Sequence, residues 1–217
     1  MGLFRKITVE QMGEERDSEG LIAFIQKATT RKKPDLDQVS DAVRATRILG
    51  EIGTAADVEN IIQAMAEVNA KSPDRLKSFG IITQAVTKIV ERIGVEPLIN
   101  LLGSEDRTTR SIAASFITRE DVATQAVEAL KQALLLRGGN SALKSSACQL
   151  LFEILGADAA EPLVDVLKEG DRQTQLLIVP TLLAIGKPAK KLLQEVTKIE
   201  HCKSAAEMAL HGIQQQS

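Results

Sequence analysis

Apolar residues recur along this chain at helical intervals, in blocks that close on an aliphatic–glycine pair: Ile52-Gly53, Ile93-Gly94, Leu155-Gly156 and Ile185-Gly186. A glycine just past a helix supplies the left-handed residue that closes the last turn, so each pair marks an expected helix end. The block with Leu176, Leu177, Val179, Leu182, Leu183 and Ile185 carries a broad apolar stripe. Pro180 inside it removes one backbone donor and predicts a kink. Between Gly94 and Gly156 a glycine pair is missing, and Thr118-Arg119-Glu120-Asp121 stands in its place. There Thr118 is expected to cap the next helix, with Asp121 answering three residues later.

The spacing predicts paired helices. Outer helices are expected near 18–29, 54–70, 95–103, 121–136, 158–168 and 188–197, and inner helices near 38–52, 73–93, 105–117, 140–155, 171–185 and 200–213. The polar stretch 28–35 reads as a loop inside the first repeat, Gly138-Gly139-Asn140 as a tighter break, and 214–217 as a frayed tail.

A short phrase recurs down the chain: an acidic residue, a helix-compatible one, then apolar or near-apolar positions. It begins at Glu19, Glu59, Glu96, Glu128 and Glu161, with a degenerate copy at Lys190, so the starts lie 40, 37, 32, 33 and 29 residues apart. Such self-similarity marks a stacked helical-repeat array, in which each unit buries its apolar face against its neighbours. Residues 96–117 lie over 161–182 without a gap, and seven of the 22 positions are identical, among them Asp106/Asp171, Arg107/Arg172 and Thr109/Thr174. The shared Asp sits where a second helix begins, able to cap or complement its positive end. The expectation is one all-α domain over 1–217: a lead-in at 1–17, repeats over 18–213, and the tail.

Composition narrows the picture. Hydrophobic residues make up 44% and aromatics 2%, all Phe, so the core must be aliphatic. A net charge of −2 draws the whole molecule neither to nucleic acid nor to anionic membrane. Cys148 and Cys202 follow no metal or redox spacing, and Cys148 in its apolar run reads as a small buried hydrophobe. The start Met1-Gly2-Leu3-Phe4-Arg5-Lys6 departs from a myristoylation pattern at Lys6. No run is long enough to span a bilayer and no leader is evident, so a cytoplasmic location is expected.

With these motifs in place, the chain resembles HEAT-repeat proteins, of the short-helix type found in phycobilin lyase subunits. Leu49-Gly50-Glu51-Ile52-Gly53 is similar to the end of that family's second helix, and Glu-Pro-Leu-aliphatic at 96 and 161 to its first. Asp106 with Arg110 resembles the Asp and Arg that link neighbouring repeats, although Gln175 replaces the Arg beside Asp171. The resemblance covers most of 18–213. It implies a right-handed α-α superhelix of about six helix pairs, and family members range from scaffolds to enzyme subunits.

Candidate chemistry is sparse. His201 and His211 lie ten positions apart, off a common face, and Glu207 with His211 reads as a solvated pair. No Gly-x-Ser-x-Gly, Walker or dinucleotide motif is present, so no catalytic, cofactor or metal residue is assigned. The inner helices carry Arg44, Arg47, Lys77, Lys88, Arg92, Arg107, Arg110 and Lys144, diluted by Asp41, Glu51, Glu91, Glu105 and Asp106. That strip is the expected partner-binding face of a non-enzymatic scaffold for a protein with an acidic segment. Two other classes remain open: a subunit or chaperone of a phycobilin-lyase-like enzyme, and a HEAT-like DNA-binding or repair protein. The second lacks the Trp and Tyr platforms that base handling uses.

Overall fold

In a computed structural model, residues 8–29, 36–71, 80–137 and 140–215 are described. Every regular element among them is helical: α1 (Val9–Glu14), α2 (Ser18–Thr29), α3 (Leu36–Ile52), α4 (Ala55–Lys71), α5 (Gly80–Ile93), α6 (Glu96–Leu101), α7 (Arg107–Ile117), α8 (Glu120–Leu135), α9 (Ser141–Leu155), α10 (Ala160–Glu169), α11 (Arg172–Ile185), α12 (Lys187–Val196) and α13 (Glu200–Gln215). A 3-10 turn at Gly156–Ala159 leads into α10. The twelve expected helices all form. Of the loop expected at 28–35, Ala28 and Thr29 belong to the end of α2; residues 30–35, the expected helical start at 73–79 and Gly138-Gly139 of the expected break lie outside the described residues, as do residues 1–7.

Four local expectations change. Within the lead-in, Thr8 and Gln11 form a capping box that starts α1. Thr118 closes α7 rather than capping α8, because its hydroxyl donates to the carbonyls of Ala114 and Ser115 and Arg119 takes the N-cap position. At the other end, α13 runs on through Gln215, whose side-chain amide donates to His211 Nε2 at 2.8 Å. The closing glycines also divide into two kinds. Gly94, Gly156 and Gly186 take positive φ, and with ψ of −124° and −128° Gly156 and Gly186 lie outside the left-handed helical region, in backbone territory that favours glycine. Gly53 does not take positive φ; a Cβ there would meet Leu49 O at 2.6 Å and the Ile89 side chain, so close packing selects this glycine.

The chain divides into two compact units, one of Met1–Leu98 with Asp106–Ile112, the other of Ile99–Glu105 with Ala113–Ser217. In the first, α1 packs on α2 and α3, α2 on α3 and α4, and α5 on both α3 and α4. In the second, the outer helices α8, α10 and α12 touch in succession, as do the inner helices α9, α11 and α13. Each inner helix also packs on its outer partner, so this unit is a stack in which helices meet near neighbours only. Both cores are aliphatic. Leu21, Ile25, Leu49, Ile61 and Ile89 are fully buried in one, and Leu130, Leu151, Leu163, Ile178 and Leu182 in the other. Burying each such side chain contributes about 1.5–3 kcal/mol.

Candidate functional site

Helix α3 buries Ala42, Ala45, Thr46 and Leu49 on one side. Its other side carries Val39, Val43, Arg47 and Gly50, which recur at three- and four-residue intervals and therefore share a face. Val39 and Val43 are 37% and 51% exposed. Gly50 is covered by the aliphatic stem of Lys88 from α5, for a Cβ at Gly50 would lie 2.9 Å from Lys88 Cβ and 3.0 Å from its Cδ. The glycine thus lets α5 lay a lysine along α3, next to Arg47 on the same face. Arg47 and Lys88 are exposed and have no ion pair among the described residues. The exposed valines are the part of this face that a search for charge overlooks; their signal was Val39-x-x-x-Val43 with a basic residue four positions on.

The other predicted cations are placed differently. Arg44 donates to Glu10 of α1 at 2.6 Å and lies 3.8 Å from Asp41. This hydrogen bond from Arg44 holds the Glu10 carboxyl below its ordinary value and raises the arginine. Arg92 is exposed, with its guanidinium donating to the Gly53 carbonyl at the end of α3. Arg107 is exposed at the first position of α7. Arg110 is half-buried and attracts Asp106. Lys77 lies outside the described residues.

Lys144 is a correction. It is 2% exposed, so it cannot belong to an exposed recognition strip. Its Nζ donates to Thr174 Oγ1 at 2.6 Å and lies 4.0 Å from Asp171 Oδ2. Thr174 in turn donates to the Leu134 carbonyl at 3.3 Å, so the network ties α8, α9 and α11 together. Asp171 caps α11 by accepting from Thr174 N at 2.8 Å. This bond lowers its pKa, with smaller contributions from Lys144 and Arg137. Gln175, at the position that matches Arg110 in the other copy of the repeat, is buried and donates to the Leu167 carbonyl at 3.1 Å.

Both cysteines and both histidines are engaged locally. Cys148 is buried, its thiol donates to Thr181 Oγ1 at 3.0 Å, and burial pushes its pKa up, which keeps it protonated. Burial also raises Cys202, which donates to the Leu167 carbonyl at 3.3 Å. His201 Nε2 donates to the Lys168 carbonyl at 2.8 Å. An open depression of about 350 Å³ lies between the start of α11 and α13, with Asp171, Arg172, Leu176, His201 and Met208 in its wall. No helix among the described residues is long and apolar enough to cross a membrane.

No family model matches the chain, and no curated protein matches it. Among solved structures, an engineered protein from the Northeast Structural Genomics Consortium aligns with 92% of this chain and 97% of its own, at 20% identity and a TM-score of 0.30. An overlap that loose carries no argument about chemistry, and the all-α repeat-like architecture rests on the helices described above.

Proposed function

We propose that this protein is a non-enzymatic binding scaffold, a HEAT-type array that takes a protein partner with an acidic segment on its inner-helix face. The observation that supports this most is the α3/α5 surface, where exposed Val39 and Val43 stand beside Arg47 and Lys88, which have no ion pair among the described residues. Covering the valines is favourable through the hydrophobic effect. The two cations select an acidic partner and speed its encounter. Arg92, donating to the Gly53 carbonyl at the end of α3, adds positive charge to this surface, whereas Arg44 is already neutralised by Glu10. Inner helices meeting in succession are the usual platform for such recognition.

The test is a tagged pull-down from the native host at low and high salt, comparing the natural chain with Arg47→Glu/Lys88→Glu. Both side chains are exposed, so the double variant should fold. A single stoichiometric partner is expected, released by high salt and absent from the variant. A partner held equally by the variant overturns the face. Salt-sensitive retardation of duplex DNA, or a bilin absorbance shift, transfers the function to the corresponding rival class.

A further inference from the structure

Helix α12 has its charge and its burial on opposite sides. Ala189, Leu193 and Val196 are buried against the rest of its unit. At roughly 100° per residue, Lys187, Lys190 and Lys191 fall within an arc of about 100° on the other side, with Gln194 between them. Lys198 follows just beyond the C-cap Thr197. All four lysines are exposed, and none has an ion pair among the described residues. Glu195 is the one acid on the helix, at the edge of that arc.

The helix start adds to the imbalance. Its first turn carries no acidic residue, the N-cap Gly186 offers no side-chain acceptor, and Pro188 follows. The positive end of the helix dipole is therefore left uncompensated and reinforced by Lys187, the reverse of the usual arrangement. A concentration of positive charge this local, on a chain whose net charge is −2, is charge complementarity waiting for an acidic surface.

We propose that the lysine face of α12 is a second docking surface, taking an acidic peptide segment of a protein partner. An extended peptide advances about 3.3 Å per residue and α12 about 1.5 Å, so about five peptide residues run the distance from Lys187 to Lys198. Membrane attachment fits less well, because the apolar stripe of the helix is already buried and cannot insert. Duplex DNA places one charge per about 1.7 Å of axis, and most of them would lie beyond four lysines, against a chain that is otherwise acidic.

The probe is a fluorescent hexaglutamate peptide, read by anisotropy with the full chain at low salt and again at about 0.5 M, where screening is nearly complete beyond a few ångströms. The natural chain binds at low salt and releases at high salt. Lys187→Glu/Lys190→Glu/Lys191→Glu, with thermal melts confirming that it folds, weakens binding at least tenfold. Lys27→Glu, at an exposed lysine of α2 outside both proposed faces, leaves it within twofold. Loss of the native partner in the Arg47→Glu/Lys88→Glu pull-down and loss of hexaglutamate in the α12 triple variant are separate readouts, so the inner-face reading and this one fail separately. Undiminished binding by the triple variant, or no binding at low salt, overturns the proposal. Tighter capture of duplex DNA or phosphatidylserine vesicles by the same lysines overturns the choice of partner.

Discussion

Asp-Arg-x-Thr occurs at 106–109 and again at 171–174, and the two corners start their helices in the same way. Each Asp accepts from the Thr backbone three residues on, at 2.7 Å in one and 2.8 Å in the other. The threonine hydroxyls then part company. Thr109 Oγ1 turns back to Asp106 at 2.6 Å, whereas Thr174 Oγ1 accepts from Lys144 and donates to Leu134 O. The second partner comes from α9, which packs on α11 and brings Lys144 to Thr174. Twelve residues before Gly156 stands Lys144; twelve before Gly94 stands Ile82, also buried. A local motif settles the cap, while one residue on another helix decides whether the same threonine joins a buried network.

The largest expected effect comes from removing the lysine. Lys144→Ala leaves a cavity and strips Thr174 of its donor, and urea unfolding should show a loss of about 2–4 kcal/mol. Lys144→Met keeps the volume without the charge and should cost less than half as much. Equal losses would place the network outside the stability of this unit. Next, Thr174→Val leaves Lys144 Nζ with only a carboxylate 4.0 Å away and should cost about 1–3 kcal/mol. Thr109→Val removes one hydroxyl from a cap that keeps its backbone bond, and a loss below about 1 kcal/mol is expected. Matching values at the two threonines would erase the contrast.

Closing glycines give a smaller contrast. Gly53→Ala drives a Cβ into Leu49 O and Ile89, for about 1–3 kcal/mol. Gly186→Ala meets only Leu183 O at 3.9 Å and suffers through its backbone alone, at φ 72° and ψ −128°, for about 1–3 kcal/mol without a steric clash. Smallest is the pH response. The folded pKa values of Asp106 and Asp171 are lowered by their hydrogen bonds to Thr109 and Thr174. Their contribution is therefore complete above the unfolded carboxyl value of about 3.9 and is lost as pH falls through the folded values. Asp106→Asn and Asp171→Asn should each flatten the fall in melting temperature below about pH 4.

Helix order was legible because two independent signals coincide: apolar stripes at helical spacing, and Glu-Pro-Leu or Gly at the boundaries. Lys144 was misplaced because its charge outweighed its register. It precedes Ala147 and Cys148 by three and four positions, squarely on the buried stripe of α9, and that spacing was the available signal. Thr174 as its partner was beyond reach, since 30 residues separate them and only the packing of α11 on α9 brings them together. Thr118 resembled a cap because a helix does start after it, yet its hydroxyl found the carbonyls behind it first. The proposed face is half legible: Arg47 and Lys88 stand out as charges in the sequence, but the Gly50 seat that lays Lys88 along α3 needs the fold.

The most direct test of the scaffold reading is site-specific photo-crosslinking in the native host. A photo-crosslinking residue replaces Val43 on the inner face, and in a second chain it replaces Gln63, exposed on outer helix α4. The account predicts one discrete adduct from position 43, lost at high salt and in the Arg47→Glu/Lys88→Glu background, with none from position 63. Adducts from position 63 instead, or equal adducts from both, would contradict it.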